Sequence, residues 1–395
     1  MDMLRGIAIL LVLGRHYVIK PEGLGPLQPL AAGWMAIGWA GVDLFFVLSG
    51  FLVSGLIFAE YRKNQTVDLR RFVIRRGFKI WPPYLAYIAF LALWIGWQHS
   101  QGESAGVWTS LWPNFFHVQN YFHSPRIHTW SLAVEEHFYL GLAILFFGLL
   151  CTRRVAHFLS YLPALTVALV LGLAGWRHAT YLRVGPEHMN LFATHLRFDG
   201  LLIGTLLAYW SHFHPEKLAP FVRRPLTLIF VGLLFAAPTL WLTPEASPWT
   251  AGLGLTGVYV GFGALLLGWM HLSTAHAFSR QIFASRPAAV LGQIGFFSYS
   301  IYLWHIDLAN TPVRKLVPFI QAYLPAGAVW LLTTLIYVVA AVVTGTILAR
   351  IFEGPSLALR DRLFPSAAKA MAREPAVAAP KLASAPKARH IASNA

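Results

Sequence analysis

Charge is scarce in this 395-residue chain and uneven in sign, with 12% of residues charged and 31 Lys+Arg against 16 Asp+Glu. Soluble globular chains are about 25% charged and about 45–50% apolar. Here 57% is hydrophobic and the mean hydropathy is +0.57, which excludes water as the sole solvent. Cysteine is nearly missing too. Cys151 stands alone, so an intramolecular disulfide and a cysteine metal cluster are both excluded. The chain also lacks a charged leader with a small-residue cleavage site. Its first apolar stretch therefore reads as a retained helix and the mature chain as starting at or near Met1. The net charge of +15 falls between apolar runs, the ordinary topogenic pattern, so nucleic acid is not an expected partner.

What the sequence has in plenty is apolar runs of about the 17–25 residues that cross a bilayer as helix. Ten are predicted: Met3–Ile19, Trp34–Glu60, Ile80–Trp97, Trp130–Cys151, Leu159–Trp176, Leu191–Trp210, Pro225–Leu242, Ala251–Met270, Ala288–Ala309 and Ala328–Ile351. The fold class expected is an all-α polytopic membrane bundle over residues 1–364. Cations crowd one set of connections: Arg62, Lys63, Arg70, Arg71, Arg75, Arg76 and Lys79 after the second run, then Arg153, Arg154, Lys217, Arg223, Arg224, Arg280 and Arg286. The opposite set holds only Lys20, Arg126, Arg177, Arg183, Arg314 and Lys315. Positive charge marks the cytoplasmic side, which predicts both termini in the cytoplasm. Residues 365–395, rich in Ala, Pro, Lys and Ser, offer no core to offset ordering entropy and read as a disordered cytoplasmic tail.

Ionisable side chains inside membrane helices are costly and face a bundle interior or a wet cavity. The first run carries Arg5, Arg15 and His16, the second Asp43, the fourth Glu135, Glu136 and His137, the sixth Arg197 and Asp199, and the ninth His305 and Asp307. Arg5 and His16 are eleven residues apart, which is about 16–17 Å of helical rise and three turns plus roughly 20°, so both leave one face and can line one channel. Arg75, Arg76 and Lys79 beside Arg5 suit phosphate groups, or else are topogenic charges alone. Asp43 and Glu135 read as catalytic partners or as plain bridges between helices, and Arg197–Asp199 as a pair that neutralises itself. His212 and His214 have no third ligand in view and do not make a metal site. The loop from Gln98 to Thr129, with Trp108, Trp112, Phe115, Phe116, Tyr121 and Phe122 among His117, His123 and His128, is either an interfacial aromatic belt or a platform for sugar rings.

Six stretches in order resemble the membrane-bound acyltransferase family 3. Asp2 to Ala8 followed by His16 matches its Arg-x10-His signature, and Gly41 to Phe51 (GVDLFFVLSGF) its second-helix motif. Phe72 to Tyr84 (FVIRRGFKIWPPY), His128 to Tyr139 (HTWSLAVEEHFY), Arg197 to Tyr209 (RFDGLLIGTLLAY) and Ser298 to His305 (SYSIYLWH) complete the set. The resemblance implies transfer of acyl groups, often acetyl, from cytoplasmic acyl-CoA to a carbohydrate or glycolipid acceptor reached from the outer face of a bacterial inner membrane. It implies no tightly bound cofactor and no metal. One position departs: the family's Arg-x-x-Arg falls on Arg76 and Lys79, which keeps the charge but loses the bidentate fork. An appended SGNH-type hydrolase domain, present in some relatives, is not expected.

On this reading His16 is the general base, with an unperturbed pKa near 6.5 suited to the task, and Asp43 or Glu135 orients its ring. Arg5, Arg75, Arg76 and Lys79 hold the donor. Ser49, Trp130, Arg197, Asp199, Tyr302 and His305 serve the acceptor or support the site, Ser49 being also a conceivable nucleophile. The rival class is a secondary transporter or flippase, which also uses charged, Gly/Pro-interrupted helices, although no motif repeats in the two halves of the chain.

Overall fold

Backbone amides inside a bilayer have to be satisfied within their own segment, and the α-helix does this locally. In the computed structural model the described residues are 1–20, 22–102, 106–275 and 277–365, and they contain helices and turns but no strand. The tail expected over 365–395 lies outside them from residue 366 onward. In chain order the helices are α1 (Asp2–His16), α2 (Gln28–Ile37), α3 (Ala40–Asn64), α4 (Leu69–Ser100), α5 (Val107–Phe115), α6 (Trp130–Cys151), α7 (Val155–Val184), α8 (Phe198–Phe213) and α9 (Pro215–Val222). They continue as α10 (Pro225–Ala236), α11 (Leu255–Ala275), α12 (Ala277–Phe283), α13 (Arg286–Phe296), α14 (Ser298–Trp304), α15 (Thr311–Gln321), α16 (Ala326–Leu348) and α17 (Gly354–Leu363).

Every predicted apolar run carries helix, yet only six of the described helical stretches are long and apolar enough to cross a membrane, or seven if α9 and the helix after it, bent by 86° at their break, count as one. The others are short for local reasons. The ninth predicted run is interrupted at Phe297 and again by a π-helical segment, His305–Asn310, whereas the second, though split between α2 and α3, leaves α3 as one of the six. The sixth begins in irregular chain and becomes helical only at Phe198. Conversely α4 starts eleven residues earlier than its apolar run suggests: Asp68 caps it by accepting from the Arg71 amide at 2.9 Å, a contact that stabilises a helix start. Arg75, Arg76 and Lys79 are therefore helical residues and not loop cations, and their spacing of three and four puts Lys79 alongside both arginines.

Small residues let these helices meet closely. Gly50 of α3 and Gly204 of α8 lie against each other's helix backbone, so a Cβ at either would collide with it. Gly295 of α13 sits equally close to the Asp2 carbonyl of α1. The 98–129 connection turns back into the bundle, and its Asn114, Gln119 and Asn120 are buried. Tyr84 donates to the Asn114 carbonyl at 3.0 Å and Asn120 to Thr194 at 2.7 Å. Arg126 pairs with Asp307 at 2.6 Å, and Tyr87 donates to the same carboxylate at 2.7 Å. The aromatics of this connection stay largely exposed, Trp108 at 63% and Phe116 at 65%, as either reading of them requires.

Candidate active site

Two side chains separated by two positions on a helix do not face each other, and this decides the fate of Arg197 and Asp199. Arg197, at the start of α8, pairs with Asp43 of α3 at 2.5 Å, while Asp199 pairs with Arg177 of α7 at 2.7 Å. The pair expected within α8 does not form. Arg177, read from sequence as a cation of the connection after its apolar run, is instead wholly buried in α7. It donates to the carbonyls of Leu196 and Ala251 at 2.9 and 2.7 Å and to the Thr256 hydroxyl at 2.6 Å. Its signal in the sequence was position alone: it follows Trp176 directly, where an apolar run can continue as helix. Trp130 joins this side, its ring 4.9 Å from the Arg197 guanidinium.

His16 ends α1 and meets the broken ninth stretch. Its Nδ1 lies 3.1 Å from the Val12 carbonyl and 3.1 Å from Nε2 of His305. His305 is fully buried, with Nδ1 2.7 Å from the Tyr302 carbonyl. That carbonyl can only accept, so the His305 proton sits on Nδ1 and its Nε2 accepts from His16 Nδ1–H. His16 then keeps a lone pair on Nε2. A third imidazole, His128, is buried with its ring 5.3 Å from that of His305 and 6.2 Å from that of His16. In the sequence His128 appears among the loop aromatics and as the first residue of the His128 to Tyr139 motif, with no role assigned to it. Neither carboxylate expected to orient His16 reaches it. Asp43 is taken by Arg197, and Glu135 accepts from Ser49 and from Tyr139, each at 2.8 Å. The orienting groups beside His16 Nδ1 are a second histidine and, at the same 3.1 Å, the Val12 carbonyl.

Ser49 and Glu135 line a cavity of about 100 Å³ together with Arg5, Arg76, Lys79 and Tyr302. The Tyr302 hydroxyl donates to the His128 carbonyl and is 2.8 Å from Ser131, so Tyr302 stands between this cavity and the histidine cluster, whose imidazoles do not line it. A wider cavity of about 630 Å³ adjoins it and shares Arg5, Arg76 and Lys79 as walls. Arg5 pairs with Asp2 at 3.1 Å. The Arg76 guanidinium lies 5.4 Å from the centre of the Tyr139 ring. Among the described residues neither Arg76 nor Lys79 has a carboxylate partner. Arg75, also expected to meet the donor, is engaged by Asp361 at 3.1 Å and by the Phe364 carbonyl.

The fold and this site together define a multi-pass membrane protein with a cation-walled passage that ends beside a histidine cluster. The chain belongs to the acyltransferase family 3, whose model, described as an acyltransferase domain, matches residues 1–351. It is 29% identical over 334 residues to the peptidoglycan O-acetyltransferase OatA of Listeria monocytogenes, covering 76% of this chain and 51% of that protein. It is 25% identical over 343 residues to the O-acetyltransferase OatA of Staphylococcus aureus, covering 82% and 54%. A putative O-acetyltransferase of the latter organism matches at 25% over 374 residues, covering 90% and 56%. The chain thus spans about half the length of these curated relatives. No solved structure matches it.

Proposed function

We propose that the protein is an integral membrane O-acyltransferase that moves an acyl group, acetyl first among candidates, from cytoplasmic acyl-CoA to a hydroxyl of a carbohydrate or glycolipid at the outer face of a bacterial inner membrane. The observation that carries this reading is the continuity of the two cavities, with unpaired cations at the wide part and Tyr302, in contact with the histidine cluster, at the narrow end. A long phosphorylated thioester suits such a passage. Its phosphates meet Arg5, Arg76 and Lys79 through charge-assisted hydrogen bonds, and acyl-CoA enters as co-substrate with no resident cofactor. The names of the relatives support a glycan acceptor and an acetyl group. The cation distribution supports ten spans with both termini in the cytoplasm, which puts the wide cavity on the acyl-CoA side.

The chemistry follows from the tautomers. Nε2 of His16 takes the proton of the acceptor hydroxyl as that oxygen adds to the thioester carbonyl. Collapse of the tetrahedral species breaks the C–S bond, and the leaving thiolate recovers the proton from the imidazolium, giving an ester and free CoA. His305 holds His16 in the tautomer that leaves Nε2 available, the duty a carboxylate performs in other acyl-transfer sites. Asp43, Arg197, Asp199 and Trp130 support the walls. The Ser49–Glu135 pair lines the cavity and is where a resting acyl group would form if transfer ran in two steps; trapping labelled enzyme would reveal it.

The deciding experiment is the purified protein in lipid nanodiscs with labelled acetyl-CoA and a panel of glycan acceptors. Transfer of label to an acceptor hydroxyl is expected. Movement of a solute across proteoliposomes with no transfer would replace this reading by the transporter.

A further inference from the structure

Helices α16 and α17, joined by the π-helical segment Ala349–Glu353, form one continuous helical stretch, Ala326–Leu363, of 38 residues. At 1.5 Å per residue that is roughly 57 Å, against about 30 Å of hydrocarbon. One end has to leave the bilayer, and the polar end is α17, with Arg360, Asp361 and Arg362 in its last turn. It does not hang free. The Ser356 hydroxyl donates to the Phe78 carbonyl at 2.5 Å, Asp361 holds Arg75 at 3.1 Å, and the rings of Phe78 and Phe364 are 6.1 Å apart. All three contacts fasten α17 to the stretch of α4 that carries Arg76 and Lys79.

Docked there, Arg360 becomes a wall of the 630 Å³ cavity. Seven Lys or Arg side chains line that cavity against two carboxylates, Asp2 and Glu60, both already paired, with Arg5 at 3.1 Å and Arg71 at 2.6 Å. Like charges facing one space repel unless an anion fills it. The family match stops at residue 351, so α17 lies past the part of the chain that the family model describes.

We propose that α17 completes an anion site in the wide cavity and that Arg360 is a phosphate-binding residue for the nucleotide end of the donor. The proposal rests on the reading of that cavity as the acyl-CoA site. Arg360 is suited to the task because a planar guanidinium meets phosphate oxygens two at a time, and its own carboxylate neighbour, Asp361 at 2.9 Å, is shared with Arg75.

The test is calorimetric binding of adenosine 3′,5′-bisphosphate, the nucleotide part of CoA without the acyl arm, to the full chain in nanodiscs. Arg360→Gln is expected to weaken binding about tenfold to a hundredfold, with Arg360→Lys recovering part. Arg362→Gln, an exposed charge on the same turn, should change it about twofold or less. On the wild-type chain, bisphosphate should slow tryptic cleavage after Arg360, a readout that needs no variant to fold. Bisphosphate that binds through Arg5 and Lys79 but is indifferent to Arg360→Gln and leaves cleavage unchanged overturns this inference while the donor site stands. Equal losses in Arg360→Gln and Arg362→Gln reduce the effect to surface charge and overturn it too. No binding to the wild-type chain removes the donor reading and this inference with it.

Discussion

On the side of the bundle where α3, α7 and α8 meet, four charges are paired: Asp43 with Arg197 and Asp199 with Arg177, at most 5% exposed. Where Arg5 of α1 and Arg76 and Lys79 of α4 line the same cavities, the two α4 cations have no carboxylate among the described residues and Arg5 has only a half-exposed Asp2. Both groups sit in an apolar bundle, where stripping an ion of water costs several kcal/mol. The first group offsets that cost with short ion pairs and backbone carbonyls, and no cavity is needed. The second keeps a cavity, because water or a ligand has to do what a partner does not. Closed charges here hold helices together, and open charges wait for an anion.

The largest expected effect tests the end of the open side. His16→Ala should cut transfer by about a hundredfold to ten-thousandfold, the usual worth of a general base, while calorimetry shows acyl-CoA still bound. Normal turnover in a well-folded His16→Ala chain would falsify the mechanism, though not the membrane fold. Next, Arg177→Met leaves the buried Asp199 with the Thr256 hydroxyl, 2.9 Å away, but without its ion-pair partner, a loss of about 3–5 kcal/mol. Thermal melting in detergent should fall sharply, and Arg177→Met with Asp199→Leu should regain part of the loss. Unchanged melting would show that the closed side is not what fastens α7 to α8.

Arg5→Ala should behave oppositely, with near-normal melting but donor affinity reduced about tenfold to a hundredfold, part of it recovered in Arg5→Lys. If melting drops as it does for Arg177, the contrast between the two sides fails at Arg5. A smaller effect is expected of His305→Gln, whose amide oxygen can still accept from His16. Turnover should fall by up to about tenfold, the worth of one hydrogen bond, with donor affinity intact; a loss confined to affinity would place His305 outside the base's support. The smallest is Lys79→Arg, which restores the bidentate fork and should tighten donor binding modestly; weaker binding would mean that the cavity wall at that position is fitted to an ammonium.

Much of this was legible residue by residue. The solvent, the helical class, the shared face of Arg5 and His16 and the alignment of Arg75, Arg76 and Lys79 follow from composition and from spacings of eleven, three and four. Arg75 belongs to the same helical cluster, but its partner Asp361 lies 286 residues on, beyond the reach of any local pattern. The pairing of Arg197 was misread because adjacency in sequence suggested Asp199, whereas helical geometry turns the two apart. His128 was visible as the first residue of the His128 to Tyr139 motif but had no site role, since nothing local says that a connection folds back into a bundle. The lengths of the helices were less legible than their existence: hydropathy registers apolar stretches but not the breaks at Phe297 and at the π-helical segment His305–Asn310.

By itself the sequence determined that this chain lives in a bilayer as helices, because its apolar runs leave no other way to satisfy the backbone, and that Arg5 and His16 share one face, because both lie on one rigid helix. Which charge meets which partner was decided only by tertiary structure. An ion pair or an imidazole chain forms between residues tens to hundreds of positions apart, and its existence depends on how closely glycine-lined helices such as α3 and α8 approach, a distance that no single segment specifies.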